Sequence, residues 1–109
     1  RAEAPDASTT NAERVKVEVL NASDVRGLAR RATMLLRDRG FDVLYMGSTS
    51  ERLDSTIVLD RSGNPARAQR VAEALGGARV ESRPDTSRYL DVTVMLGRAW
   101  RAPTEPFYP

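Results

Sequence analysis

The chain is 109 residues long, enough for one domain with a modest core. Seventeen basic and fifteen acidic side chains leave a net charge of +2, without the basic run or stripe that marks a nucleic-acid binder. Cysteine and histidine are absent, which excludes disulfides, thiolate or imidazole metal sites, and every Cys/His or Ser/His catalytic pair.

Residues 1–14 are rich in Ala, Ser, Thr and charge, have no sustained apolar period, and read as a flexible linker. Residues 15–20 alternate: Val15, Val17 and Val19 point one way, Lys16 and Glu18 the other, which predicts a half-buried strand. Asn21-Ala22-Ser23-Asp24 is a turn with capping side chains. Val25, Leu28, Ala29, Ala32, Leu35 and Leu36 then fall on one helical stripe, with Arg26, Arg30, Arg31 and Arg37 mostly off it. Gly27 inside this pattern suggests close approach of helix to sheet, and Gly40 supplies the left-handed helix stop, with Phe41 placed to touch Leu36.

A short strand follows over 42–46, a polar connection opens at Gly47, and STIVLD (55–60) is the third strand. Ser62-Gly63-Asn64-Pro65 starts a second helix, with Asn64 as N-cap and Pro65 at the first helical position. Its stripe is Ala68, Val71, Ala72 and Leu75, and Gly76-Gly77 ends it. Residues 79–81 form a marginal strand, 83–88 a loop, and 90–96 the last strand, with Leu90, Val92, Val94 and Leu96 inward. The tail, residues 98–109, holds three of the six prolines and three of the six aromatics, and is expected to wrap the domain or hang from it; a partner-binding peptide is the alternative.

The order β-α-β-β-α-β predicts an α/β two-layer sandwich with both helices on one face of a mixed four-stranded sheet. In the split βαβ topology the first and third strands are parallel central neighbours. The reverse face of the sheet is expected to be wet.

VEVLNAS followed by GLA, then RDRGFDVLYMG, resembles the LytR C-terminal domain family. STIVLD, NPARAQRVAEALGG and LDVTVMLG resemble its second strand–helix half and closing strand, so the likeness runs from residue 15 to 97. The chain departs from the pattern at Ala22, where the family often has glycine, and at Arg98-Ala99-Trp100 after the closing glycine. The resemblance implies an extracytoplasmic bacterial envelope module. Such modules are often attached to LytR–CpsA–Psr enzymes, which transfer anionic polymers to peptidoglycan, and also occur alone behind a membrane anchor. It implies no catalytic residues here, and any membrane attachment is expected through a segment upstream of Arg1.

Two β-to-α turns are the candidate ligand site. With the first and third strands parallel, both helix N-termini converge at one end of the domain, bringing Asn21, Ser23 and Arg26 beside Arg61, Gly63, Asn64 and Arg67. Phosphate, carboxylate or a muramyl-type lactyl group suits such a place; Asp24 and Asp60 oppose it, and ordinary capping is the plainer reading. A second candidate is a polar groove for a glycan on the open sheet face, from Lys16, Glu18, Thr93, Asp91 and Tyr45. Leu20, Leu44 and Met95 on that face also suit a homodimer. No nucleophile elbow, Walker loop or EF-hand spacing is present, and no cofactor or metal is expected. The functional expectation is a non-enzymatic envelope module binding peptidoglycan or an attached anionic wall polymer. The alternative is a protein-interaction or dimerisation domain using the sheet face or the tail.

Overall fold

The computed structural model describes residues 14–103; the expected linker over 1–13 and the last six residues of the expected tail lie outside the described residues. The alternating run gives β1 (Lys16–Asn21), whose Val17 and Val19 are fully buried. Helix α1 (Leu28–Asp38) follows, later than the apolar stripe suggests. Gly27 takes φ +84, a left-handed conformation that a right-handed helix cannot contain, so Val25 stays outside and is exposed. The glycine therefore sets the helix start. The expected close approach to the sheet is absent: a side chain at Gly27 would meet only the tip of Arg31. At the other end Gly40 is left-handed as expected, and the Phe41 amide bonds back to the Leu36 carbonyl.

The remaining elements are β2 (Asp42–Ser48), β3 (Ile57–Asp60), α2 (Pro65–Ala74), β4 (Arg79–Ser82), a single 3₁₀ turn (Thr86–Arg88) and β5 (Val92–Leu96). Asn64 caps α2 by accepting from the Ala66 amide, with Pro65 first in the helix, as the sequence predicts. Leu90 falls outside β5 and stays partly exposed.

The sheet has five strands in the order β2-β1-β5-β3-β4, which corrects both the expected count and the expected neighbours. The segment over 79–82 is a full strand, paired parallel to β3, so each half of the chain is a βαβ unit. β5 sits between the halves, parallel to β1 and antiparallel to β3. β1 and β3 are therefore neither adjacent nor parallel. The reason lies in side-chain chemistry. Residues 92–96 carry no charge, and Thr93 and Val94 are both completely buried, so this strand tolerates cover on both faces. β1 carries Lys16 and Glu18, which makes it a poorer centre.

Both helices lie on one face, because Leu28, Ala32 and Leu36 of α1 and Ala68, Val71 and Ala72 of α2 share a single core with Val17, Val19, Val58 and Val94. The chain after β5 closes this layer. Trp100 is buried and its Nε1 donates to the Leu75 carbonyl at the end of α2 (3.0 Å), so residues 98–103 wrap the domain. The reverse face is only partly wet. Glu18, Leu59 and Thr93, which point away from the helices, are buried beneath the segment that joins β4 to β5. Toward the other end of that face Leu20, Ile57 and Met95 are half-buried; on the edge strand β2 Leu44, Tyr45 and Met46 are exposed, Met46 in register with Val19 of the helix-covered face.

Candidate functional site

The antiparallel β5–β3 pairing separates the two β-to-α turns. Asn21 aligns with Leu96 at one end of β5, whereas Asp60 aligns with Val92 at the other. Asn21, Ser23 and Arg26 therefore stand at one end of the sheet, and Arg61, Gly63, Asn64 and Arg67 at the opposite end. The expected meeting of two helix N-termini does not occur.

Each turn also satisfies itself. At the first, Asn21 Oδ1 accepts from the Ser23 amide (3.1 Å) and hydroxyl (2.7 Å), and Ser23 Oγ accepts from the Val25 amide (3.1 Å). Arg26 is exposed next to it. At the second, Asp60 Oδ1 accepts from the amides of Ser62 (3.1 Å), Gly63 (3.1 Å) and Asn64 (3.2 Å). The chain's own buried carboxylate thus occupies the place an external anion would take at the start of α2. Gly63 is left-handed with open space around it, which suits this turn. Arg67 is engaged too: its Nη1 donates to Asp91 Oδ1 at 2.8 Å.

The same topology assembles a different site. Because β3 runs toward the start of β1, Arg61 arrives beside Lys16 and Asp91, two residues expected in the polar groove of the sheet face. A groove of about 340 Å³ lies here, lined by Lys16, Arg61, Asp85, Thr86, Tyr89 and Asp91 among others. Asp91 is its structural hub: Oδ2 accepts from the Lys16 amide (2.9 Å), its own amide donates to the Lys16 carbonyl (2.9 Å), and its carbonyl accepts from the Arg61 amide (2.8 Å). With Oδ1 taken by Arg67, both carboxylate oxygens are committed. The Lys16 ammonium has no ion pair among the described residues.

Arg61 links the groove to the covered sheet face. Its Nε donates to Thr93 Oγ1 (3.1 Å) and its Nη1 to the Arg83 carbonyl (3.1 Å). Thr93 Oγ1 in turn donates to Glu18 Oε2 (2.9 Å), which also accepts from Arg88 Nη1 (2.8 Å). Glu18 and Thr93, expected to be solvated groove residues, are thus consumed in a buried network, while Tyr45, the neighbour of Glu18 on edge strand β2, lays its ring over Gly47 instead. Burial, and then the neighbouring Arg88, hold the Arg61 guanidinium below arginine's ordinary pKa, against the upward pull of Glu18 and Asp85.

Segment 83–90 forms the outer wall. Asp85 bonds the Ser87 amide and hydroxyl and pairs with Arg88, and these contacts lower the Asp85 pKa, the Ser87 hydroxyl contributing most. Tyr89 then takes φ +55, the one left-handed residue other than glycine among those described, and stands 87 % exposed. Sequence reasoning missed Tyr89, Asp85 and Thr86. The Asp85-x-Ser87 spacing is a signal for an Asx turn, but nothing local says which surface that turn will cover.

A second groove, of about 240 Å³, is lined by Ser23, Asp24, Arg52, Leu53, Asp54 and Arg98 at the opposite end. Arg98 Nε is paired with Asp54 there at 2.8 Å. No described helix is long and apolar enough to cross a membrane.

Comparison with known proteins fits this architecture. The chain is 37 % identical over 76 residues to the cell wall biosynthesis protein LcpA of Corynebacterium glutamicum, a match covering 69 % of this chain and 14 % of that protein. Its fold matches the soluble domain of a conserved hypothetical secreted protein from Mycobacterium marinum with a TM-score of 0.61, at 21 % identity over 85 % of this chain and 65 % of the other. It also matches the C-terminal domain of RV0431, with a TM-score of 0.53 at 30 % identity over 77 % of this chain and 72 % of that one. The chain thus spans about one seventh of the curated relative and just under two thirds of the M. marinum domain. The model of the LytR cell envelope-related transcriptional attenuator family matches residues 14–100, nearly the whole described domain, and the chain belongs to that LytR C-terminal family.

Proposed function

We propose that this domain is a non-catalytic binding module that works outside the cytoplasmic membrane and holds peptidoglycan or an attached anionic wall polymer in the groove at the start of β1. The observation that carries the reading is the company kept by Tyr89. An exposed ring stands beside an ammonium (Lys16) and a part-buried guanidinium (Arg61), neither of which has an ion pair among the described residues. A ring face suits the apolar side of a sugar, and the two cations suit the carboxylate of a muramyl or uronic unit. Kinship with a cell wall biosynthesis protein, and a fold shared with a secreted one, support the setting. The absence of histidine and cysteine supports a binding role over a catalytic one.

Sedimentation with purified sacculi tests the proposal, with Tyr89→Gly as the informative variant. Glycine accepts the left-handed backbone without strain, so the ring is removed while the turn is kept. The wild-type domain is expected in the pellet, with binding reduced about tenfold in Tyr89→Gly and similarly in Lys16→Ala. Arg26→Ala, at the far end of the sheet, is expected to bind like wild type. Wild-type protein left wholly in the supernatant refutes the reading.

A second reading has its own observation. Leu44, Tyr45 and Met46 stand about half exposed on edge strand β2, next to half-buried Leu20, which suits pairing with a second copy along that edge. Light scattering at high concentration decides it: a strict monomer removes this version.

A further inference from the structure

An excess of basic charge lies on α1 and its two flanks. Between residues 25 and 41 five arginines accompany a single aspartate, a net +4 in a chain of net +2, so the remainder is net negative. The buried stripe of α1 is Leu28, Ala29, Ala32, Thr33 and Leu36. The opposite face centres on Met34, which is 60 % exposed. Arg30 and Arg31 flank Met34 one turn before and Arg37 one turn after, all exposed, and Arg26 extends the face beyond the helix start.

Five arginines elsewhere in the domain are neutralised within it. Arg67, Arg79, Arg83, Arg88 and Arg98 each pair with a carboxylate of the domain. Arg26, Arg30 and Arg31 have no ion pair among the described residues. Arg37 bonds only a carbonyl, that of Val43, and keeps its charge unneutralised. A row of uncompensated guanidiniums around a flexible apolar side chain has a definite complement: an anionic surface that is also apolar a few ångströms below its charge. A phospholipid bilayer offers both, with phosphates for the arginines and the acyl boundary for the Met34 thioether. A hydrated polymer offers only the charge.

We propose that the outward face of α1 docks on an anionic phospholipid bilayer, leaving the Tyr89 groove free. The inference does not depend on what that groove binds. The test is co-sedimentation of the domain with vesicles of phosphatidylcholine containing about 30 % phosphatidylglycerol, at millimolar lipid, a range set by a gain of roughly fivefold in partitioning per surface arginine. Binding is expected to the anionic vesicles, to vanish on pure phosphatidylcholine, and to collapse at 0.5 M salt, where the Debye length shrinks to ~4–5 Å. Arg30→Gln with Arg31→Gln is expected to weaken it about 25-fold, while Tyr89→Gly leaves it unchanged. Met34→Ser is expected to weaken vesicle binding further. All four positions are exposed, and the buried Trp100 reports that each variant is folded. Absence of binding to the anionic vesicles, equal binding to neutral ones, or indifference to the double Gln change overturns the proposal. So does capture of soluble polyglutamate as tightly as of vesicles with no effect of Met34→Ser, which would assign the face to a polymer instead.

Discussion

Gly97, which ends β5, is the position where one added methyl group should do most damage. An ideal Cβ there falls against the carbonyl carbon of Ser55, 2.6 Å from its nitrogen and 2.7 Å from the carbonyl carbon of Asp54. Ordinary carbon contacts lie near 3.5–4.0 Å, so Gly97→Ala must push the facing backbones roughly 1 Å apart. Neither backbone is free to yield. The Gly97 amide donates to Thr56 Oγ1 (3.0 Å), the Arg98 amide to the Leu53 carbonyl (2.9 Å) and the Ala99 amide to the Asp54 carbonyl (3.0 Å). Losing two of these bonds at about 1 kcal/mol each, with the strain of overpacking at about 1–3 kcal/mol, gives about 3–5 kcal/mol in all. That is a large fraction of a small domain's stability. Urea unfolding followed by Trp100 fluorescence should show the midpoint lowered by more than 1 M, at a slope of about 1–2 kcal/mol per molar. Gly47→Ala is the control. Its Cβ would crowd only the Tyr45 ring, at 2.6–2.9 Å, and an exposed ring on an edge strand can swing away. A Gly97→Ala midpoint within 0.3 M of wild type, on the order of 0.5 kcal/mol, refutes the reasoning.

Two further predictions concern what holds the ends of the domain. Trp100→Phe keeps the apolar packing but removes the donor to the Leu75 carbonyl, and should cost about 1 kcal/mol in thermal unfolding followed by circular dichroism; an unchanged midpoint denies that the tail fastens α2. Acid should loosen segment 83–90. Because the Asp85 pKa is lowered on folding below its ordinary 3.8, its contribution is present above that value and is lost as pH falls through the folded pKa. A fall in the Ser87 amide's protection factor, its exchange rate relative to the unstructured chain at the same pH, below about pH 4, absent in Asp85→Asn, is the expected sign.

The helices were legible because their signals are local. Asn64-Pro65 marks the start of α2 and Gly40 the end of α1, and both act as read. Gly27 was misread because a glycine in a helical pattern has two meanings, close packing or a left-handed start, and only the backbone angle separates them. Strand order was not legible in the same way. Alternation shows which face of a strand is apolar, but not which strand lies beside which. One clue existed: β5 has no charged residue between 92 and 96, while β1 holds Lys16 and Glu18, and the least charged strand became the centre.

That single placement decides where function can reside. Putting β5 between the halves turns β3 against β1, which sends the β3–α2 turn to the end where β1 begins. The seven residues expected at one site are divided by this turn, and in each β-to-α corner the chain's own oxygens satisfy amides that an anion would need. The same reversal carries Arg61 to Lys16 and Asp91, residues singled out for a different reason, on the polar side of the sheet. Segment 83–90 then completes the wall, its Arg88 fixed on Glu18 and its Tyr89 directed out of the covered face. Glu18 is thus the residue on which the two surfaces depend. Its pairing with Arg88 holds down the segment that presents the ring. A neutral, apolar residue at position 18 would leave Arg88 and Thr93 without their shared carboxylate and loosen the hold on that segment, so the wall of the groove depends on a carboxylate carried by β1.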